Sequence, residues 1–541
     1  MSWQLASWFP RAMRQIAKAS GIVLVLSVAS RLEAQTTRAE RTAYRETSSY
    51  QDVIAFLDSL QLKTTEMRVG TLATSPEGRA IPYAIVSRPL VTTPAEAQRV
   101  GKPVVYLQAN IHAGEVEGKE AAQMLLRDLA VGPLRTLLES LVLLVVPIYN
   151  TDGNERWGPG EQNRPGQDGP ERVGRNTNGQ GLNLNRDYVK MEAPETRGAA
   201  SLLLDWDPDV FIDLHTTNGS YHGYVLTYAP GLNPNVNPAV TLVRDRLLPA
   251  VQRAMRQRYR EPTFSYGNFR NQNPDSLIQG WETYDARPRF GTNWMGLRGR
   301  LAILSEGYSN ADFRTRVSAT YHFVHELLEL VAAQRGTIKD AVRAAERLRP
   351  DSIVVRSKLA PPVVQEVVAE ITEDAGAGAG GYARRRRTGV YRRIRMPVFD
   401  RFTAARKEAV PGCYLIPARL GEIVQLLRRQ GITLERVSAP FRVPVQTFAV
   451  ESLSVDSLFE GHRTVAVKGS WGENPVDSVM TTGWFLLRTD QPLGSLAGYL
   501  LEPASEDGVV TWNFLDRELE PGSPYPILRA ARVPAATVLV P

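Results

Sequence analysis

Four short runs of almost unbroken apolar residues constrain this chain most: KPVVYLQANI (102–111), LVLLVVPIYN (141–150), DVFIDLH (209–215) and RLAILSE (300–306). Runs of this length without polar alternation suit strands buried on both faces. Helical periodicity fills the gaps, as in VEGKEAAQMLLRDLAV (116–131), and Tyr321 to Ala333 reads as a further helix. An amphipathic helix is expected over residues 50–61, with Val53, Phe56, Leu57 and Leu60 on one face. Strands alternating with helices predict an α/β unit, a largely parallel sheet covered on both faces. In such sheets chemistry gathers where strands end and loops begin.

The chain has 541 residues, about three domains' worth, and 43% are hydrophobic, which excludes a disordered or collagen-like protein. A single cysteine, Cys413, excludes internal disulfides and cysteine-rich metal sites, and is read as a small buried hydrophobe. Residues 1–34 read as a signal peptide: Arg11, Arg14 and Lys18 precede the apolar run 21–29, with cleavage expected after Ala34. That run is too short to span a bilayer and no other stretch approaches about 18 consecutive apolar residues, so no stable membrane insertion is expected. Export without disulfides fits a secreted or periplasmic bacterial protein.

Residues 375–395 are Gly/Ala-rich and then Arg-rich, and read as a linker or exposed loop. Beyond it, CYLIPA, LGEIVQLLRRQG and ITLERVS suggest a strand–helix–strand unit, and TVAVKGSW and GWFLLRT add strands. A smaller accessory α+β domain is therefore placed at 396–541. The net charge of +7 invites a nucleic-acid partner, but its location argues otherwise. The leader holds Arg11, Arg14, Lys18 and Arg31 against Glu33, and residues 384–395 hold seven arginines and no acid. The remainder carries a net −3, so no nucleic-acid partner is expected.

Six histidines exist, and two end apolar strands. His112 opens His112-Ala113-Gly114-Glu115 directly after the first run, and His215 closes DVFIDLH. Two imidazoles and a carboxylate at strand ends can supply three ligands and leave a fourth position open, as a catalytic zinc requires. Glu306 ends a buried strand, where a carboxylate is either desolvated and poised as a base or paired structurally. The polar stretch Arg175 to Asp187 holds two arginines, a residue type that binds carboxylates or stabilises oxyanions.

In this order the pieces resemble the zinc carboxypeptidase (funnelin) family of metallopeptidases, over roughly residues 45–350. HAGE (112–115), the histidine of FIDLHTT, LNLNRD (182–187) and LSEGYS (304–309) carry the resemblance. It implies an α/β/α sandwich around a mixed, largely parallel sheet, extended here by the C-terminal domain. It also implies one zinc per chain, held by His112, Glu115 and His215, with Glu306 as the general base that activates the zinc-bound water. Asn185 and Arg186 would bind the terminal carboxylate of a peptide substrate. Arg175 would polarise the scissile carbonyl, with Arg172 competing for that role, and Tyr284 is the candidate for the family's mobile-loop tyrosine. The expected activity is hydrolysis of the C-terminal peptide bond. The alternatives are a related zinc amidohydrolase or deacylase, a murein-peptide hydrolase, or an inactive secreted binding protein.

One position departs from the family pattern. Where an aspartate commonly partners a zinc histidine, this chain has Asn183, which accepts a hydrogen bond but adds no charge, so Asp213 or Asp187 is an alternative partner. His322, His325 and Glu329 lie on a helix but do not complete H-E-x-x-H. His222 is read as a loop histidine bonded to backbone and His462 as a surface residue. Arg287, Arg289, Arg298 and Arg300, with no acid between Asp285 and Glu306, suggest that basic C-terminal residues are disfavoured if that stretch lines the pocket.

Overall fold

The computed structural model describes residues 36–377, 383–533 and 539–540, so the expected leader 1–34 lies outside the described residues. An eight-stranded sheet forms the centre. Its strands are β1 (Met67–Thr74), β2 (Ala80–Ser87), β3 (Val104–Ala109), β4 (Val142–Val146), β5 (Val210–Thr216), β6 (Leu226–Pro230), β7 (Thr263–Ser265) and β8 (Leu301–Gly307). Their spatial order is β1-β2-β4-β3-β5-β8-β6-β7. The four apolar runs form the central strands β4, β3, β5 and β8, which are mutually parallel. β1 and β2 extend one side antiparallel, and β6 pairs antiparallel with β8 on the other. The sheet is mixed and largely parallel, as expected.

Each sheet face buries its own apolar cluster. On one face helices α1 (Tyr50–Gln61) and α2 (Glu117–Ala130) pack with Leu107, Leu143 and Ile212. The helix that closes this unit, Phe313–Ala333, also packs on that face and begins eight residues earlier than its periodicity suggested. On the other face α3 (Pro194–Trp206) and α4 (Gly291–Leu297) pack with Tyr106, Leu144 and Phe211. That second cluster continues without a break into Tyr414, Ile416, Leu427 and Trp512 of the C-terminal region. The helix Gly421–Arg429 and the strands Cys413–Ile416 and Glu435–Val437 realise the expected strand–helix–strand unit. Cys413 is buried, as anticipated.

Residues 363–399, which include the expected linker, form a long hairpin, β9 (Val363–Ala377) with β10 (Ala383–Phe399). Residues 378–382 lie outside the described residues. Composition misled here because several arginines of β10 find acids of β9 across the ladder. Glu366 pairs with Arg395, Glu373 with Arg386 and Asp374 with Arg385 in register. Ion pairs join Arg387 to Glu370 (2.8 Å) and Arg393 to Glu366 (2.9 Å). Opposite charges across an antiparallel pair stabilise it, so a run read as solvated coil is ordered strand.

Glu195, in the first turn of α3, is fully buried and receives Asn178 Nδ2 at 3.2 Å on both oxygens. Burial pushes its carboxyl up to about 7, with Asp152 and Asp187 adding to the effect. The folded value lies above the unfolded one, so this group's stabilising contribution is complete below the unfolded value and lost as pH rises through 7. Glu195→Gln is therefore expected to raise Tm at pH 8 by about 2 °C and to change it little at pH 5. Thermal melts of both proteins at the two pH values check this.

Candidate metal centre and substrate cleft

The loop after β3 is shaped by Asn110, in the left-handed region at φ 63°. Its Nδ2 donates to the carbonyl of Glu115 (3.1 Å), and the Glu115 amide donates to the His112 carbonyl (2.9 Å). The loop thus curls so that both side chains face the strand ends. Gly118 then lets α2 press onto β5, since an added Cβ would lie 2.8 Å from Leu214 Cβ. In the β5–β8 ladder His215 is opposite Glu306.

These placements bring His112, Glu115 and His215 together, with their donor atoms all within 4.8 Å of one another. Nδ1 of His112 lies 3.0 Å from Glu115 Oε1, and Nδ1 of His215 lies 2.9 Å from Oε2. Both Nε2 atoms are held from behind. Asn183 Oδ1 is 3.0 Å from that of His112, and Asp213 Oδ2 is 3.0 Å from that of His215. Imidazoles oriented through their far nitrogen, with near nitrogens converging on a carboxylate, make a donor set of the kind that would hold zinc. The two partners weighed for the departure at 183 are thereby separated. Asn183 serves His112 and Asp213 serves His215, whereas Asp187 is spent on Lys190 (3.0 Å) and the backbone of 192 and 193.

Electrostatics agree with a cation site. Burial disfavours ionised Glu115, but His112 and Arg164 together with hydrogen bonds from both imidazoles hold it well below the usual carboxylate range. Burial likewise opposes a charged His215, and Asp213 and Glu115 overcome it. Glu306 has only 8% of its surface exposed, and burial pushes it up to about 8, with Glu115 and Asp213 adding to the effect while His215 and Arg164 oppose it.

A cleft of about 270 Å³ joins these residues to Asn185, Arg186, Tyr266, Tyr284, Asp285, Phe290, Thr292 and Leu304. Asn185 is fixed by the Gly291 amide, which donates to Oδ1 at 3.0 Å. The Arg186 guanidinium stacks on Phe290 at 4.1 Å and donates to the Asn185 carbonyl (2.8 Å). Burial lowers its pKa, and Glu460 and Asp285 act against that. Tyr284 stands at the wall, edge-on to Tyr266 (5.7 Å) and Phe290 (5.3 Å).

Seven of the eight expected site residues line this one cleft. The exception is Arg175, whose side chain is exposed and does not line the cleft, and its competitor Arg172 is exposed as well. The arginine that reaches the metal ligands is Arg164. Its Nη2 lies 3.1 Å from Glu115 and donates to the carbonyls of Thr216 (2.6 Å) and Thr217 (3.0 Å). No sequence signal marked Arg164, which sits in a polar stretch without a motif. Tyr266 was also missed.

The arginines expected to repel basic residues point elsewhere. Arg287 pairs with Asp285, Arg289 with Asp507 (2.8 Å), Arg298 with the Gln430 carbonyl (2.7 Å), and Arg300 with Glu346 (2.8 Å). The basis for that specificity reading is therefore absent. His322 pairs with Glu261 (3.0 Å) and His325 with Glu329 (3.3 Å). Among the described residues His112, Glu115 and His215 are the group whose ligand atoms converge closely enough that they could hold a metal ion. His222 is buried, with Nδ1 accepting the Tyr224 amide (3.3 Å), as a loop histidine bonded to backbone should be. His462 is not free at the surface but bridges Glu192 (2.8 Å) and Asn513 (2.9 Å).

Two histidines and a glutamate at the carboxyl edge of a parallel sheet, facing a buried carboxylate, define a metal-dependent hydrolase. Residues 53–272 match the family model described as zinc carboxypeptidase, a match that supports a metallopeptidase. Curated relatives include carboxypeptidase 2 of Trichophyton rubrum, 25% identical over 84% of this chain and 81% of its own length. Carboxypeptidase 2 of Trichophyton equinum is 24% identical over the same shares. Both are fungal and lend no support to a bacterial source. Among solved structures, a metallo-carboxypeptidase from Burkholderia cenocepacia aligns at 18% identity over 53% of this chain and 70% of its own, with a TM-score of 0.38. The carboxypeptidase A of Helicoverpa armigera aligns at 15% over 57% and 81%, with a TM-score of 0.39.

Proposed function

We propose that the chain is a zinc-dependent carboxypeptidase that releases the last residue of peptides. The observation that carries this reading is that Asn185 and Arg186 share one cleft with the three ligand residues and Glu306. A guanidinium held by ring stacking and a backbone carbonyl presents a fork matched to a carboxylate. Docking a free C-terminus there leaves only the terminal peptide bond beside Glu306.

His112, Glu115 and His215 hold the metal, with Asn183 and Asp213 orienting the imidazoles. A zinc ion bound there supplies Lewis acidity, polarising a carbonyl and acidifying water. Glu306 takes the proton from the attacking water and returns it to the leaving amine. Burial favours its protonated form in the second half of that cycle. Tyr266, Tyr284 and Phe290 wall the cleft and keep water from the reacting bond. The reading includes export on the N-terminal segment, a catalytic unit over residues 45–350 and an accessory unit over 396–541. Among the described residues no helix is long and apolar enough to cross a membrane.

The test pairs a peptide bearing a free C-terminus with its C-terminal amide. The free acid is expected to be the better substrate, and Arg186→Ala to lower kcat/KM on it by about 100-fold while barely changing turnover of the amide. Equal use of acid and amide by the wild type would instead favour an amidohydrolase.

A further inference from the structure

The C-terminal region touches the loop that carries Asn185 and Arg186 through Glu460. Strands β11 (Phe448–Phe459) and β12 (His462–Trp471) form a hairpin closed by the Phe459–His462 pair, which leaves Glu460 and Gly461 as a two-residue turn. Both have positive φ, 49° and 80°, as the turn favoured by hairpin twist requires. Glycine adopts this conformation freely, whereas a glutamate does so at a cost. A residue held in the left-handed region must be kept there by its surroundings, and such positions cluster at functional sites.

The surroundings are explicit. Phe459 packs against Trp512 (6.3 Å between ring centroids) and beneath the Arg289 guanidinium (5.2 Å). His462 is tied to Glu192 (2.8 Å), which also accepts Lys190 (2.7 Å). So anchored, the tip delivers Glu460 Oε2 to the Asn183 amide, which donates to it at 3.2 Å. The Asn183 side chain in turn accepts the Asn185 amide (3.0 Å) and meets His112 Nε2 (3.0 Å). Arg186 is the next residue along, and its guanidinium feels the negative charge of Glu460.

We propose that Glu460 is a positioning residue of the cleft. By accepting the Asn183 amide it fixes the loop Asn183–Arg186, and thereby both the imidazole of His112 and the guanidinium that receives the substrate carboxylate. The C-terminal region on this account braces the site from behind the Asn183–Arg186 loop. The inference rests on the reading of Asn185 and Arg186 as a carboxylate site.

The experiment compares full-length wild type, Glu460→Ala and Glu460→Gln. Zinc affinity is measured by competition with a chelating dye, KM and kcat on a peptide with a free C-terminus, and folding by thermal melts. Glu460→Ala is expected to weaken zinc binding about 10-fold and to raise KM about 5-fold, with kcat within about twofold. Glu460→Gln keeps an acceptor oxygen and is expected to stay within about twofold of wild type in all three. Wild-type zinc affinity and KM in Glu460→Ala would overturn the inference, as would equal damage in both variants. If the wild type hydrolyses no peptide, the carboxypeptidase reading fails by itself, and zinc affinity still decides the role of Glu460.

Discussion

Glu306→Gln is expected to lower kcat by about 1,000-fold while each chain still binds one zinc. General-base catalysis contributes roughly 100- to 10,000-fold, and glutamine cannot take a proton. The substitution changes little else. Glu306 is not among the three convergent ligands, and among the described residues no group donates a hydrogen bond to its carboxyl. Its strand is fixed by pairing with β5 on one side and β6 on the other. Elemental analysis of the purified variant beside steady-state rates separates the two quantities. Activity equal to the wild type would remove Glu306 from the chemistry.

The second large effect is loss of the metal itself. His215→Ala is expected to reduce zinc from one per chain to less than about 0.1 and to abolish hydrolysis with it. Two ligands, His112 and Glu115, remain on one turn, and Asp213 loses the imidazole 3.0 Å away that compensates its burial. Metal content must fall before activity is assayed for this explanation to stand. A variant that keeps one zinc per chain would place the ion elsewhere. His215→Gln, which leaves less of a cavity, is the control for packing, and a melt of metal-free wild type gives the reference stability.

Much of the fold was legible because the four parallel strands are buried on both faces and so lack polar interruptions. The flanking strands were not, because β1 is amphipathic and β7 has three residues. The convergence of the candidate ligands was legible because local motifs build it: His112 and Glu115 share one turn, and His215 and Glu306 end apolar runs. Arg164 and Glu460 were not, since each acts across a distance that leaves no local mark. Glu460 is 277 residues from Asn183 in the chain. Arg175 misled for the converse reason, as a residue beside a recognisable motif whose side chain points to solvent.

The hairpin β9–β10 carries its alignment instructions as charge. In this register Glu366, Glu373 and Asp374 lie opposite Arg395, Arg386 and Arg385, three cross-strand pairs of opposite charge. A one-residue slip would turn Val367, Ala369, Met396 and Val398 away from the apolar cluster they fill. Two independent codes, one electrostatic and one apolar, thus select the same register. Salt erodes only the first, and the four acids of the hairpin, Glu366, Glu370, Glu373 and Asp374, offset part of the charge of its seven arginines.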